Sequence, residues 1–272
     1  MAEPHMNNDP QNERIAALGD ELFQALRQRS TVTPLTSRHP DLTVEDAYRI
    51  SLHMLRLREA SGERVIGKKI GVTSKAVQDM LGVYQPDFGF LTDTMHMADG
   101  ATVSLTQAGL IQPRAEGEIA FVLRADLQGP GVTREDVLAA TAYVAPCFEI
   151  VDSRVQDWKI RIQDTVADNA SCGVFVLGTQ QTDPRSLDLA CASMQMWQNG
   201  VPAGAGLGSA VQGHPAEAVA WLANTLGAFG IPFKAGEIIL SGSLAPLVSA
   251  VAGDRFTLQI EGLGGCSIAF TE

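Results

Sequence analysis

Apolar residues recur at helical spacing near the start of the chain, at Ile15, Leu18, Leu22, Ala25 and Leu26, and predict an amphipathic helix. A second helix is predicted from Thr43, with Asp46 three residues on as a capping-box partner. It presents Ala47, Ile50, Met54 and Leu57 on one face and ends near Gly62. From Val65 the pattern changes. Short apolar runs alternate with Gly, Pro and Asp: VIGKKIGV, FGFLTD, EIAFVL, CFEIVD, GVFVLG, EIILSG, RFTLQI and CSIAF. Their lengths suit strands. Helices are expected between them at 134–142 and 216–229, the latter stopped by Gly230 with Pro232 just beyond. Strands and helices do not alternate regularly, which argues for an α+β fold and against a doubly wound sheet. Residues 1–12 are polar and read as a tail, and the segment 204–208, GAGLG, reads as a flexible loop.

Composition sharpens this picture in a few places. Hydrophobic residues make up 45% of the 272 and charged residues 19%, so the chain can bury a core without disulfides or a structural metal. The net charge of -11 excludes the basic footprint that a nucleic-acid partner requires. The four cysteines, Cys147, Cys172, Cys191 and Cys266, form no C-x-x-C pair and read as reduced and mostly buried. The start of the chain has no apolar signal region, and no run approaches a membrane span. The expectation is a cytoplasmic protein without a membrane partner.

The acidic positions carry the candidate chemistry. In the strand RAEGEIAFVL, Glu116 and Glu118 share a face, because alternate side chains point the same way. Two adjacent carboxylates in a half-buried place must sit in water, share a proton or hold a cation. Glu149, in CFEIVD, faces away from Phe148 and Ile150 and supplies a third acid. An all-oxygen trio suits Mg²⁺ or Mn²⁺, whereas E-x-E alone is more often the mark of a solvated sheet edge. Lys69, between glycines in GKKIG, is either a strand-end surface lysine or a cation that meets an anionic substrate. Asp87, in QPDFG, either stabilises a turn or serves as an acid/base group near Lys69. Asp168, Asn169 and Ser171 either cap a turn or line a pocket. No G-x-S-x-G elbow surrounds Ser171, which argues against a nucleophile. Ser241, Gly242, Ser243 and Leu244 follow an apolar run, where hydroxyl and N–H groups can bind a carboxylate.

Taken together and in order, IGKKIGVTSKAVQDMLGVYQPDFGFLTD, IQPRAEGEIAFVL, PCFEIVDSRVQDWKIRIQDTVADNASCGVFVLG and KAGEIILSGSLAPL resemble the 2-oxopent-4-enoate (2-hydroxypenta-2,4-dienoate) hydratases of aromatic meta-cleavage pathways, within the fumarylacetoacetate hydrolase superfamily. The likeness runs from about Glu13 to the C-terminus. It implies a mixed β-roll over residues 65–272, with a tail and helical element over residues 1–64 packed outside it. It implies that Glu116, Glu118 and Glu149 bind Mg²⁺ or Mn²⁺, that Lys69 and Asp87 are catalytic, and that Lys69, Ser171 and Ser241 to Leu244 meet a small 2-oxo or 2-hydroxydienoate substrate. It also implies a homo-oligomer and a complex with a 4-oxalocrotonate decarboxylase. The superfamily's hydrolases carry a lysine in a K-S-F-D-type segment where this chain has Ala167 to Ser171, which disfavours C–C bond hydrolysis. The rivals that remain are a 2-oxo-3-hexenedioate (4-oxalocrotonate) decarboxylase, a structural partner of that enzyme, and a 2-oxo-acid binding protein.

Overall fold

The computed structural model describes residues 10–272. The expected tail therefore lies mostly outside the described residues, and its last part is corrected: helix α1 (Pro10–Gln28) already begins at Pro10, a residue suited to a first helical turn. A short helix α2 (Leu35–Arg38) and the longer α3 (Val44–Ala60) complete the N-terminal helices. The expected capping box starts α3. Thr43 Oγ1 accepts from Asp46 N at 3.0 Å, and the Asp46 carboxylate accepts in return from Thr43.

The remaining elements are β1 (Val65–Gly71), α4 (Lys75–Leu81), β2 (Asp87–Thr92), β3 (His96–Met97), β4 (Thr102–Ser104), β5 (Arg114–Leu123), α5 (Arg134–Ala140), β6 (Thr141–Val151), α6 (Ile162–Ala167), β7 (Cys172–Leu177), β8 (Ser193–Gln198), β9 (Val201–Leu207), α7 (Pro215–Ala228), β10 (Ile238–Leu240), β11 (Val248–Ser249), β12 (Arg255–Ile260) and β13 (Gly264–Thr271). They form two sheets. The larger runs β2-β1-β10-β5-β6-β7-β3, with β11 beside β5, and the smaller runs β4-β13-β12-β8-β9. Pairs β1/β10, β3/β7 and β4/β13 are parallel and the rest antiparallel. The mixed sheets and N-terminal helices match the expected α+β fold.

Period-two alternation gives the large sheet two different faces. One packs on the small sheet, where Phe148 meets Phe256 edge-on with ring centroids 6.2 Å apart. The other carries a separate apolar cluster, including Ala120, Cys147, Cys172, Phe175 and Leu240, and the candidate site lies on this face. The N-terminal helices share the main core with the sheets. Tyr48 of α3 stacks on Phe88 of β2 with centroids 4.1 Å apart.

The GAGLG segment is corrected. Gly204 to Leu207 belong to β9, an outer strand of the small sheet. A Cβ on Gly206 would stand 1.9 Å from the carbonyl oxygen of Leu244, so glycine there marks two backbones in close approach rather than a loose loop.

Candidate metal centre and active site

Strands β5 and β6 pair so that Glu116 lies directly opposite Glu149, while Glu118 lies opposite Cys147. All three glutamates share one face, as the alternation predicts. Each is buried, and one carboxylate oxygen from each lies within 4.8 Å of the others. The sheet-edge alternative is therefore corrected, since β5 is an interior strand flanked by β10 and β6.

Three buried carboxylates repel one another and lose their hydration. Burial, then Glu149, push Glu116 up to about 7 against the pull of Lys69. Burial, then Glu149 and Glu116, raise Glu118 well above the ordinary range. Glu118 Oε2 accepts from Gly242 N at 2.8 Å, but Glu118 Oε1 and both Glu149 oxygens are buried without a hydrogen-bond partner. Unpaired buried oxygens are costly. Such a hard, all-oxygen set fits a small divalent cation.

Lys69 comes from β1. It is buried, and its Nζ lies 3.1 Å from Glu149 Oε1, off the hydrogen-bonding direction. Burial works against its ammonium, but Glu149, Asp87, Cys172 and Glu116 outweigh this and hold it protonated. The preceding lysine points to the opposite face, where Lys68 Nζ bonds Glu237 at 2.6 Å. Asp87 opens β2 opposite Gly71 and is likewise buried. Its Oδ2 accepts from Thr165 Oγ1 at 3.1 Å, and its Oδ1 has no partner. Burial raises its pKa, opposed by Lys69 and Thr165. A Cβ on Gly71 would fall 2.2 Å from Asp87 Oδ1 and 3.5 Å from Lys69 Nζ. Glycine at that position therefore leaves the space that the acid and the lysine share.

Ser171 Oγ lies 3.3 Å from Thr165 Oγ1. It ends a turn in which Asn169, Ala170 and Ser171 all have positive φ, at 54°, 50° and 52°. Three consecutive non-glycine residues in that region are strained and need outside support. Asn169 supplies part of it: its side-chain amide accepts from Phe90 N at 2.8 Å and donates to Phe90 O at 3.0 Å. Asp168 faces Arg154, whose Nε donates to Asp168 Oδ1 at 2.5 Å and whose backbone N donates to Oδ2 at 2.8 Å. Arg154 also bonds the carbonyls of Asp152, Cys172 and Asp168. Among the described residues Ser241 Oγ is buried without a hydrogen-bond partner. Ser243 Oγ donates to Ala245 O at 2.6 Å and Leu244 N to Gly117 O at 3.0 Å, so these two residues close the turn.

A cavity of about 20 Å³ is bordered by Lys69, Gly71, Asp87, Glu116, Thr165 and Ser171. An apolar collar also borders it, made of Val77 and Leu81 from α4 together with Val151, Trp158 and Leu247. Ser241, Gly242, Ser243 and Leu244 do not border this space, and neither do Glu118 and Glu149.

Residues 65–270 match the fumarylacetoacetate (FAA) hydrolase C-terminal family. The chain belongs to that family. This family member is 79% identical over 258 residues to a 2-hydroxyhexa-2,4-dienoate hydratase of Comamonas testosteroni, covering 95% of this chain and 98% of the relative. It is 66% identical over 217 residues to a 2-hydroxypent-2,4-dienoate hydratase of Pseudomonas putida, covering 80% and 97%. Among solved structures, the 4-oxalocrotonate decarboxylase from Pseudomonas putida G7, complexed with magnesium and adipate, superposes with a TM-score of 0.90 at 36% identity, covering 95% and 97%. The expected membership in the hydratase family of this superfamily is borne out.

Sequence reasoning missed Thr73, Arg154 and Thr165 in this family member. Thr73 Oγ1 is buried without a partner beside Gly242. Its signal was a Thr-Ser pair just after the GKKIG strand. Arg154 and Thr165 carry no local signature, because their partners Asp168 and Asp87 lie 14 and 78 positions away.

Proposed function

We propose that this chain is a divalent-metal-dependent hydro-lyase that adds water to 2-hydroxypenta-2,4-dienoate or a 5-alkyl homologue, in meta-cleavage degradation of aromatic compounds. The observation that carries the reading is the convergence of three buried glutamates, two of them with unpaired oxygens, with Lys69 and Asp87 on one sheet face. The hydratase relatives support it.

Glu116, Glu118 and Glu149 would hold Mg²⁺ or Mn²⁺, with Gly242 N–H fixing the Glu118 carboxylate. When bound, the cation supplies Lewis-acid polarisation of the substrate's 2-oxo oxygen. Overall, the 2-hydroxyl loses its proton, C5 and C3 each gain one, and C4 gains the hydroxyl of a water whose other proton balances the exchange, so that one water is gained and 4-hydroxy-2-oxopentanoate results. Lys69, held protonated by its acidic neighbours, offers a fixed positive charge to the oxygen that gains electron density. Asp87 is steadied by Thr165 through one oxygen and keeps the other free to give or take a proton. Ser171 and Ser241 orient the substrate's polar head. The collar excludes bulk water.

The test is ultraviolet loss of the dienoate with product identification, with and without EDTA. Turnover should require Mg²⁺ or Mn²⁺ and yield the 4-hydroxy-2-oxo acid. Glu118→Gln should weaken metal binding by at least the roughly 10–100-fold that loss of an outer-shell partner costs. Normal turnover and metal dependence in that variant would refute the ligand set. The similarity to a decarboxylase structure favours a second reading, loss of CO₂ from a 2-oxo-hexenedioate. Offering both substrates and measuring CO₂ separates the two.

A further inference from the structure

Arg114 stands apart from the other inward-facing cations. Arg58 and Arg154 are buried against the carboxylates of Glu63 and Asp168, and Lys69 faces Glu149. Arg114 is half-buried, and among the described residues its guanidinium has neither an ion pair nor a hydrogen bond. It rests on the ring of Trp158, with its central carbon 4.4 Å from the centroid. The ring is itself fixed by Trp158 Nε1 donating to Gln112 O at 3.0 Å. Stacking engages the flat face of a guanidinium and leaves its edge donors free for a carboxylate.

Its place in the sheet gives this free cation a direction. Arg114, Glu116 and Glu118 lie on one face of β5, so Arg114 is one step, about 7 Å, from Glu116. Val151, which belongs to the collar, pairs opposite Arg114. An open vestibule of about 550 Å³, sharing Trp158 with the collar, is lined by Arg114, Trp158, Gln112 and Ser249. Trp158 borders both this vestibule and the catalytic cavity. The vestibule's other charges are Arg29, bonded to Leu110 O and Thr106, Asp157, paired with Lys159, and the exposed Glu272. A chain with a net charge of -11 repels anions at long range, so an anionic substrate gains from a local cation on its path.

We infer that Arg114, backed by Trp158, captures the carboxylate of the incoming substrate at the vestibule and hands it towards the glutamates. This rests on the hydratase reading for the identity of the anion. The experiment compares wild type, Arg114→Gln and Arg114→Lys at saturating Mg²⁺, with 2-hydroxypenta-2,4-dienoate as substrate over a KCl series. Arg114→Gln should raise KM about tenfold, leave kcat within about twofold and flatten the fall of kcat/KM with salt. Arg114→Lys should recover part of both effects. An unchanged KM and salt slope in Arg114→Gln would overturn the inference, as would a loss of kcat with KM unmoved. If Arg114→Gln does not fold by circular dichroism, a wild-type kcat/KM indifferent to KCl overturns it, and a falling one with partial retention in Arg114→Lys supports it. If the wild type binds the dienoate without converting it, the hydratase reading fails on its own. Calorimetric dissociation constants for wild type and variant then still decide the role of Arg114. No binding at all overturns both.

Discussion

Gly71 shows how one missing side chain shapes the site. The space beside it belongs to Asp87 Oδ1 and Lys69 Nζ, and both must stay where they are for Lys69 to face Glu149 and for Asp87 to keep its Thr165 bond. Gly71→Ala should push Asp87 aside and lower kcat about 100-fold, the scale expected for a misplacement of about 1 Å. The fold should survive, so circular dichroism and the melting temperature would stay near wild type while the ultraviolet assay collapses. Lys69 and Asp87 were each legible as candidates from their glycine- and proline-marked settings. What sequence left open was burial: both readings of Lys69 fit GKKIG, and only the β2-β1-β10 pairing puts that side chain inside and turns Lys68 to the other face.

At the scale of elements, the 168–172 turn depends on the buried Arg154–Asp168 pair. Removing one partner of a buried pair leaves an uncompensated charge. Arg154→Met should therefore cost about 3–5 kcal/mol of unfolding free energy, read from denaturant midpoints. Adding Asp168→Asn should restore part of this loss, because the stranded carboxylate is then gone. The long apolar-periodic helices and the eight apolar strand segments were legible because each carries its own period. The short helices α2, α4 and α6 were not, since a few residues show too little periodicity to declare a face. The strand β9 was not legible either. Its glycines answer to the neighbouring Leu244 backbone, and that contact is invisible in local sequence.

For the molecule as a whole, the carboxylate trio links pH, metal and stability. In the metal-free protein Glu116 and Glu118 titrate above their ordinary value of 4.5. The folded state then keeps protons that the unfolded chain has already released. Metal-free stability should therefore fall as pH rises above about 4.5, with the share owed to Glu116 exhausted past about 7. A cation binds the deprotonated carboxylates, so its stabilising effect should grow over the same range. At a hundredfold excess over Kd it adds about 2.7 kcal/mol. Melting temperatures measured with Mg²⁺ and with EDTA from about pH 5 to about pH 8 should diverge as pH climbs. A constant gap would contradict the assignment. The acidic trio was readable as a list of residues. Its assembly was implied by the family resemblance and not by local pattern, because opposing Glu116 with Glu149 requires the β5/β6 register, which joins residues more than thirty positions apart.

The space enclosed by the collar, about 20 Å³, has room for roughly one water molecule. A five-carbon acid needs more room than this. Substrate entry should therefore displace Val77 and Leu81 of α4, Trp158 or Leu247. Such breathing works against solvent friction, so turnover should slow as glycerol or sucrose thickens the medium, even with substrate and metal in excess. Crystals grown without ligand should likewise resist soaking, whereas growth in the presence of a 2-oxo acid would trap it inside.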